Sequence, residues 1–220
     1  MFEIFCDFDN TITTVDCTDS ILEKFASSEW LVFEDRLINN KITAKECLQK
    51  QIPLIKANQK ELEKFILEQV EVRKGFTSFV EFCNKLNYSL AIVSDGLDFV
   101  IKLILQKYNI NNIPIYSNQL QINQNGFNIL FPLYKKKCKV GLGNCKCSIV
   151  KKNKKNIKRV YIGDGSSDYC TVQNEANYVI ARGKLVDFCR QNNINYLPFN
   201  NFLDVIQILK SIEEEVNFEK

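Results

Sequence analysis

Short apolar runs alternate along this chain with longer segments in which apolar residues recur at the helical period. Runs typical of strands lie at residues 2–6, 89–93, 115–122, 127–131 and 159–162. Helical periodicity predicts helices at residues 20–33, 77–86, 97–107 and 148–156. Strands that alternate with helices favour a doubly wound, mainly parallel sheet with crossover helices. The pattern therefore predicts an α/β fold.

Residues 16–74 depart from this alternation, because they contain helical patterns but no strong strand candidate. Thr43 and Asn58 are each followed by a glutamate three residues later, at Glu46 and Glu61. This spacing is typical of a capping box, which marks the start of a helix. The segment is therefore predicted to be a helical insertion.

The insertion divides the chain into two predicted units. A helical unit occupies residues 16–74, and a Rossmann-like core combines residues 1–15 with residues 75–220. Within the core, the Asn-Gly dipeptide at 125–126 is a hairpin signal. It predicts a short β-hairpin or flap at about residues 115–137.

The composition limits the chemistry available to this protein. Its 220 residues are 45% apolar and 25% charged, which is ordinary for a globular protein of one or two small domains. The absence of histidine excludes Ser-His and Cys-His nucleophiles and any His-ligated metal. Nine cysteines in scattered contexts fit a reducing compartment better than a disulfide framework. Since the sequence shows no signal peptide or membrane span, we expect a cytoplasmic protein without membrane contact.

Charge is unevenly distributed along the chain, although the net charge is only +3. Residues 99–163 contain thirteen Lys or Arg and no Asp or Glu. Such a positive lobe would attract a phosphate ester or RNA. We favour compositional bias and a solvated helix end at residues 151–155, because no aromatic-rich RNA motif accompanies the charge. Nucleic acid is therefore not the expected partner.

The first apolar run ends in a pair of carboxylates, Asp7 and Asp9. Strand side chains repeat every second residue, so these two point the same way. They would face the crevice that an open α/β sheet forms at the carboxyl ends of its strands. Because like charges held this close repel, the pair indicates a cation, a proton or a reaction that uses them.

Two further strand ends supply related chemistry. The run at 89–93 leads into Ser94, Asp95 and Gly96, which offer a hydroxyl and backbone N–H groups at the start of a helix. The run at 159–162 is followed by Asp164 and, four residues later, Asp168. Taken singly, these residues also suit plain turns and helix caps. Together with the first acidic pair, they indicate one site.

These residues resemble the four motifs of the haloacid-dehalogenase (HAD) superfamily of phosphotransferases. In order, the matches are Asp7-Phe8-Asp9-Asn10-Thr11, then Ser94-Asp95-Gly96, then a lysine before the last catalytic strand, then Gly163-Asp164-Gly165-Ser166-Ser167-Asp168. The helical insertion resembles the cap of the phosphoserine-phosphatase-like branch. Segments at 116–118, 131–132, 143–146, 181–185 and 198–202 are most similar to the methionine-salvage type of phosphatase, which acts on a diketo or enol methylthiopentane phosphate.

The resemblance implies an Mg²⁺-dependent hydrolase of a small phosphorylated metabolite. The carboxylates of Asp7 and Asp164 and the backbone carbonyl of Asp9 would bind the metal, whose charge offsets repulsion between a phosphate dianion and the acids. Asp7 would attack phosphorus to form an aspartyl-phosphate, which water then hydrolyses. Asp9 would protonate the leaving group and later activate the water. Asp168 would orient a metal-bound water or the lysine.

The same resemblance implies a set of groups that hold the phosphate oxygens: Thr11, Ser94, the N–H groups of Asp95 and Gly96, and a lysine. Lys146 fits as the lysine, because it opens the helix before the last catalytic strand. Lys151 is the alternative, but it lies five residues later, about 140° around a helix. Only one of the two lysines can face the crevice, and we choose Lys146.

Other functions stay open at this point. A phosphoserine phosphatase or a phosphotransferase would use the same fold, and a nucleic-acid-binding protein would use the basic lobe. Cys138, Cys145 and Cys147 raise the question of zinc, but a structural zinc site needs four ligands and this stretch supplies three.

Overall fold

A seven-stranded sheet forms the centre of the computed structural model, which describes residues 2–124, 126–138, 140–151 and 157–218. The spatial order of the strands is β4-β3-β2-β1-β5-β6-β7. The strands are β1 (Phe2–Cys6), β2 (Ser89–Leu97), β3 (Ile115–Asn123), β4 (Gly126–Leu130), β5 (Lys158–Gly163), β6 (Tyr178–Ala181) and β7 (Leu197–Pro198). All neighbours pair in parallel except β3 and β4, which are antiparallel. The predicted α/β class with a mainly parallel sheet is confirmed.

Ten α-helices of the described chain connect or cover these strands. They are α1 (Cys17–Phe25), α2 (Trp30–Ile38), α3 (Ala44–Gln51), α4 (Gln59–Gln69), α5 (Phe76–Lys85), α6 (Asp98–Lys107), α7 (Lys146–Val150), α8 (Tyr169–Asn174), α9 (Gly183–Gln191) and α10 (Phe202–Phe218). No helix among the described residues is long and apolar enough to cross a membrane.

Both faces of the sheet are buried, and successive strand residues alternate between them. Ile4 and Cys6 pack in a large apolar cluster, whereas Phe5 between them packs in a second cluster. In β5, Val160 packs in the large cluster and Tyr161 packs in the second. Because β1 lies between β2 and β5, the carboxyl ends of these three strands meet at one edge. The loops that carry the sequence motifs start at this edge.

The single helix predicted at residues 20–33 is wrong, because the structure divides it into α1 and α2. Asp16 caps α1 by accepting a hydrogen bond from the backbone N–H of Asp19 at 3.0 Å, which starts the helix earlier. Ala26 ends it in an extended conformation and forms an isolated β-bridge with Ile55. This pairing depends on a residue nearly thirty positions away, which a local periodicity does not include.

Other predicted elements agree with the structure within a few residues. The capping boxes at Thr43 and Asn58 are confirmed, and they open α3 and α4. The strand expected at 89–93 continues to Leu97, with a register shift against β3 after Val93. Asn125 of the hairpin signal and residues 152–156 of the predicted helix at 148–156 lie outside the described residues.

The predicted cap segment contains α1 to α4 and a short 3-10 helix at Ile52–Leu54. The segment contacts the core through Lys45 of α3, whose backbone N–H donates to the carbonyl of Gly141 at 3.0 Å. The Lys45 ammonium lies 4.5 Å from the centre of the Tyr134 ring and 5.4 Å from that of Phe131. The boundaries of the cap stay a prediction.

Candidate active site

Asp7 follows β1 and is almost completely buried, with 5% of its surface exposed. Its backbone N–H donates to the carbonyl of Ile162 at 2.9 Å, which fixes it against β5. The backbone N–H of Phe8 donates to Asp7 Oδ1 at 2.8 Å. The remaining carboxylate oxygen, Oδ2, lies 2.7 Å from Lys146 Nζ. Both oxygens of this carboxylate are therefore oriented by the protein.

Lys146 opens α7 and is buried, with 1% of its side chain exposed. Besides Asp7, its ammonium group donates to Asp168 Oδ1 and to Ser167 Oγ, both at 2.8 Å. Burial alone would lower the pKa of Lys146, but the charges of Asp168 and Asp7 outweigh it and raise its pKa. In contrast, the side chain of Lys151 is 73% exposed and lies 3.9 Å from Glu175. The structure brings Lys146 into this crevice and leaves Lys151 outside it.

Asp168 is fully buried and accepts hydrogen bonds on both oxygens. The hydroxyl of Tyr161 donates to its Oδ1 at 2.6 Å, and the backbone N–H groups of Asp164 and Gly165 donate to its Oδ2 at 3.0 and 3.1 Å. A carboxylate with this many donors is held in one orientation. Sequence reasoning missed Tyr161, whose only signal is a hydroxyl-bearing ring between the apolar residues Val160 and Ile162.

Asp9 lies beside the cap junction rather than against the lysine. Its Oδ1 accepts a hydrogen bond from the backbone N–H of Cys17 at 2.9 Å, and its Oδ2 lies 3.5 Å from the Ser94 hydroxyl. Burial, followed by the charge of Asp16, raises the pKa of Asp9 to about 7. A group with such a pKa exchanges protons readily near neutral pH.

The Ser94-Asp95-Gly96 turn packs tightly against this acid. A Cβ at position 96 would overlap Asp9 Oδ2, so only glycine fits here without displacing that carboxylate. The Gly96 N–H donates to Ser94 Oγ at 2.9 Å. The turn is braced from β3 and from the segment before α7, because Asn118 Nδ2 and the backbone N–H of Asn144 donate to Asp95 Oδ1 at 3.0 and 2.7 Å.

Sequence reasoning missed both asparagines that brace this turn. Asn118 and Asn144 are fully buried, yet they belong to segments that were singled out only as family-like stretches. Burial, as the largest influence, raises the pKa of Asp95 to about 6, while the hydrogen bond from Asn144 opposes that effect. No simple sequence signal marks a buried amide that satisfies a distant turn.

Asp164 completes the acidic group. Its Oδ1 accepts a hydrogen bond from the Thr11 hydroxyl at 2.9 Å. Burial and then the charge of Asp168 raise the pKa of Asp164 to about 6. Oxygen atoms of Asp7, Asp164 and Asp168 all lie within 4.8 Å of one another, an arrangement that could hold a metal ion. These hard oxygen donors suit Mg²⁺ or Ca²⁺ rather than a soft metal.

A cavity of about 490 Å³ opens between this group and the predicted cap. We call the side of the cavity that the core lines the core wall, defined by Asp7, Asp9, Ser94, Lys146 and Asp164. We call the opposite side the cap wall, defined by Asp16, Asp19, Glu34, Cys47 and Gln51. Leu37 and Leu48 add apolar surface beside the cap wall. The structure thus brings the predicted acids, serine and lysine to one side of a single cavity.

The cap wall is acidic. Asp19 has its pKa raised to about 7 by burial and then by the charge of Asp16. Glu34 Oε2 accepts a hydrogen bond from the buried amide of Gln51 at 3.1 Å. Carboxylates at this wall favour a ligand group that donates hydrogen bonds or carries positive charge.

Two of the three cysteines considered for zinc, Cys145 and Cys147, form a row with Cys170 rather than a compact cluster. Cys145 Sγ lies 3.9 Å from Cys147 Sγ, and Cys147 Sγ lies 2.9 Å from Cys170 Sγ. Within the described part of the chain, the group of Asp7, Asp164 and Asp168 is the only set of three or more potential ligands that lie this close together. Zinc binding by Cys138, Cys145 and Cys147 therefore gains no geometric support.

Comparisons with known proteins agree with this geometry. Residues 2–197 match the model of a family described as "Putative Phosphatase". The chain is 32% identical over 216 residues to a 2-hydroxy-3-keto-5-methylthiopentenyl-1-phosphate phosphatase from Brevibacillus brevis, covering 97% of each protein. It is 34% identical over 215 residues to a protein of the same name from Bacillus thuringiensis, covering 96% of this chain and 97% of that protein.

Among solved structures, a substrate-bound phosphoserine phosphatase aligns with a TM-score of 0.71 at 20% sequence identity. The alignment covers 96% of this chain and 98% of that structure. At 20% sequence identity, this similarity shows that the two proteins share a fold, and no more than that. Fold and family together confirm the resemblance that the four motifs indicated.

Proposed function

Because this chain belongs to the "Putative Phosphatase" family of HAD-superfamily phosphatases, we propose that it hydrolyses a small phosphomonoester through an aspartyl-phosphate on Asp7. The observation that carries the proposal is the convergence of Asp7, Asp9, Lys146 and Asp164 on one wall of a cavity. The same residues scattered over the surface would support no reaction.

Mg²⁺ is the proposed cofactor. Asp7, Asp164 and the backbone carbonyl of Asp9 would hold it, and it would supply positive charge against the phosphate oxygens. Asp164 suits this role, since only its Oδ1 accepts a hydrogen bond within the described residues. Asp168 is less available as a ligand, because each of its oxygens already accepts two short hydrogen bonds, whereas each Asp7 oxygen has one described partner. Its proposed role is to orient Lys146.

Asp7 is the proposed nucleophile, and it must be ionised to attack phosphorus. Burial and then the charge of Asp168 raise the pKa of Asp7, whereas Lys146 opposes them. A divalent cation beside the carboxylate would favour the ionised form further. Ionisation of Asp7 and metal binding are therefore expected to support each other.

Asp9 is the proposed acid and base. With a pKa of about 7, it is protonated in a large fraction of molecules near neutral pH and can protonate the departing oxygen. Once ionised, it can accept a proton from the water that cleaves the aspartyl-phosphate. The Ser94 hydroxyl lies close to its Oδ2, so the acid is adjacent to the proposed phosphate position.

The proposed phosphate ligands are Thr11, Ser94, Lys146 and the N–H groups of Asp95 and Gly96. All three protons of the Lys146 ammonium group have protein acceptors. We propose that a phosphate oxygen takes the position of Ser167 Oγ, which is the only uncharged acceptor of the three. In this way Lys146 keeps its bonds to Asp7 and Asp168 while it contacts the substrate.

The proposed substrate is the compound for which the relatives are named, 2-hydroxy-3-keto-5-methylthiopentenyl-1-phosphate. Its enol hydroxyl would donate to a carboxylate of the cap wall, and its methylthio end would contact Leu37 and Leu48. A second candidate is phosphoserine, whose ammonium group the acidic cap wall would favour. The cap wall itself has no basic side chain, but Arg182 and Lys184 also line the cavity and could pair with a serine carboxylate, so the ester panel decides between the two candidates.

The test is a panel of phosphomonoesters assayed with and without Mg²⁺. The panel contains the methylthiopentenyl ester, phosphoserine, pyridoxal phosphate and p-nitrophenyl phosphate. We expect Mg²⁺-dependent release of inorganic phosphate, fastest with the methylthiopentenyl ester. Release without transfer to added alcohols separates a hydrolase from a phosphotransferase. Failure to hydrolyse any ester would refute the proposal.

Asp7→Asn tests the nucleophile directly, and we expect kcat to fall about 10⁴-fold or more. Asp187→Asn is the matched control, because this carboxylate lies on α9 with a 70% exposed side chain. Phosphate release by Asp7→Asn at the rate of the control would exclude a covalent intermediate on Asp7.

We propose the cytoplasm as the location, in keeping with nine free cysteines.

A further inference from the structure

Two arginines outside the four motifs converge on the loop that carries the proposed acid and nucleophile. This catalytic loop, residues 7–13, turns sharply after β1. The backbone N–H groups of Thr11, Ile12 and Thr13 all donate to the carbonyl of Phe8, at 3.3, 2.8 and 3.0 Å. Asn10 adopts a left-handed conformation with φ of 55°. The turn leaves other loop carbonyls in need of donors from elsewhere.

Arg73 supplies most of these donors. Its Nε donates to the carbonyl of Thr11 at 3.1 Å, and its NH2 donates to those of Asn10 and Thr13 at 2.8 and 3.1 Å. One planar guanidinium thus binds three carbonyls within a four-residue turn. The flexible ammonium of a lysine could not reproduce this arrangement, since its donors are not held in a planar fork.

Arg182 approaches the same loop from the segment before α9. Its NH1 donates to the carbonyl of Asn10, which therefore accepts from both arginines. Burial and then the charge of Arg182 lower the pKa of Arg73. Within the described residues, neither guanidinium lies within 4.0 Å of a carboxylate. Asp164 offsets part of the repulsion between the two cations, because its charge opposes the fall in the pKa of Arg73 and the charge of Arg182 opposes the rise in the pKa of Asp164.

The position of Arg73 in the chain suggests a role for its bonds to the catalytic loop. Arg73 lies in the linker that returns from α4 of the predicted cap to the core. This linker pairs with the outgoing one, since Val72 forms an isolated bridge with Thr13 and the Arg73 N–H donates to the carbonyl of Ile12 at 2.7 Å. The junction between the predicted cap and the core is therefore hydrogen-bonded to the catalytic loop.

We propose that Arg73 is a positioning residue, which holds Asp9 and Thr11 at the phosphate by fixing the carbonyls of the catalytic loop to the cap linker. Arg182 supports the same loop from the opposite side at Asn10. The inference rests on the proposed phosphatase function, and its central residue, Arg73, is not among the described residues that line the cavity, whereas Arg182 is. A displacement of about 1 Å in such a loop costs about 100-fold in rate.

The test compares Arg73→Ala and Arg73→Lys with Lys74→Ala, using p-nitrophenyl phosphate and Mg²⁺. Lys74 is the adjacent, exposed cation, so its replacement controls for charge and position. We expect kcat to fall about 100-fold in Arg73→Ala and about 10-fold in Arg73→Lys, with KM within about threefold. Thermal unfolding of each variant gives the folded fraction at the assay temperature.

Chemical rescue separates positioning from simple stabilisation. Guanidinium chloride at low millimolar concentration should raise kcat of Arg73→Ala several-fold, with no effect on the wild type or on Arg73→Lys. With a purely stabilising arginine, the gain would only follow the increase in folded fraction, which thermal unfolding with and without guanidinium measures. We expect Arg182→Ala to lose less activity than Arg73→Ala, since only one bond to the loop is removed.

Two results would overturn the inference. One is a kcat for Arg73→Ala within about twofold of that for Lys74→Ala. The other is a loss of activity in Arg73→Ala that the reduced folded fraction fully explains and that guanidinium does not reverse. Either result with an active wild type contradicts the role of Arg73 alone. An inactive wild type across the ester panel contradicts the proposed function instead.

Discussion

The core wall and the cap wall of the cavity are both acidic, but they are built differently. On the core wall, Asp7 is fixed by a buried lysine and a backbone N–H group. On the cap wall, Glu34 has an amide partner in Gln51, and it belongs to α2, which buries no residue completely. Ile38 of the same helix is 71% exposed. We infer that the sheet would fix the reaction geometry of the proposed enzyme, whereas the part of the cap wall on α2 would contribute to ligand recognition from a more exposed helix.

The largest expected effect tests the core wall. Lys146→Met leaves the buried carboxylates of Asp7 and Asp168 without their shared cation. We expect kcat to fall about 10²–10³-fold, and the free energy of unfolding to fall by about 3–5 kcal/mol. Steady-state kinetics and urea unfolding measure the two effects. Lys151→Met is the control, and equal losses in both variants would show that Lys146 has no special position.

The next effect concerns the proton that Asp9 holds. Since Asp9 must be protonated to assist the leaving group, kcat/KM for an alkyl phosphate should fall as the pH rises through about 7. p-Nitrophenyl phosphate has a leaving group that needs no protonation, so its profile should lack this limb. Identical profiles for the two esters would exclude Asp9 as the acid. In Asp9→Asn, we expect alkyl phosphate turnover to fall about 10²-fold.

The smallest effect is expected at the cap wall. Glu34→Gln removes a carboxylate from the cap wall, while it keeps the shape of the side chain. We expect KM for the methylthiopentenyl ester to change about 3- to 10-fold, with kcat for p-nitrophenyl phosphate unchanged. Glu29→Gln on the exposed start of α2 is the control. A large fall in kcat for both esters would contradict the division between the two walls.

The sequence predicted the parts of the site that lie directly at strand ends. Asp7, Ser94 and Asp164 each follow an apolar run, and parallel strands bring their carboxyl ends to one edge. Lys146 was chosen over Lys151 by its place in the helix, and the structure places it in the crevice. Residue roles in catalysis stay predictions until the variants above are measured.

The sequence did not predict the groups that support these residues. Asn118 and Arg73 contact residues distant in the chain, and the Tyr161 hydroxyl contacts Asp168 beyond the end of its own strand, so no local periodicity or spacing marks them. The break between α1 and α2 was missed for the same reason, since Ala26 pairs with Ile55. Local patterns indicate which residues form strands and helices, whereas tertiary contacts decide how side chains are oriented.

The central place of β1 in the sheet has a consequence for how the enzyme is made. Phe2–Cys6 is translated before Lys158–Gly163, yet it needs that strand to complete its hydrogen bonds. Pairings across so long a stretch of chain slow folding. A nascent chain therefore has no catalytic site until translation has passed Asp168, and premature termination before this point would yield inactive protein.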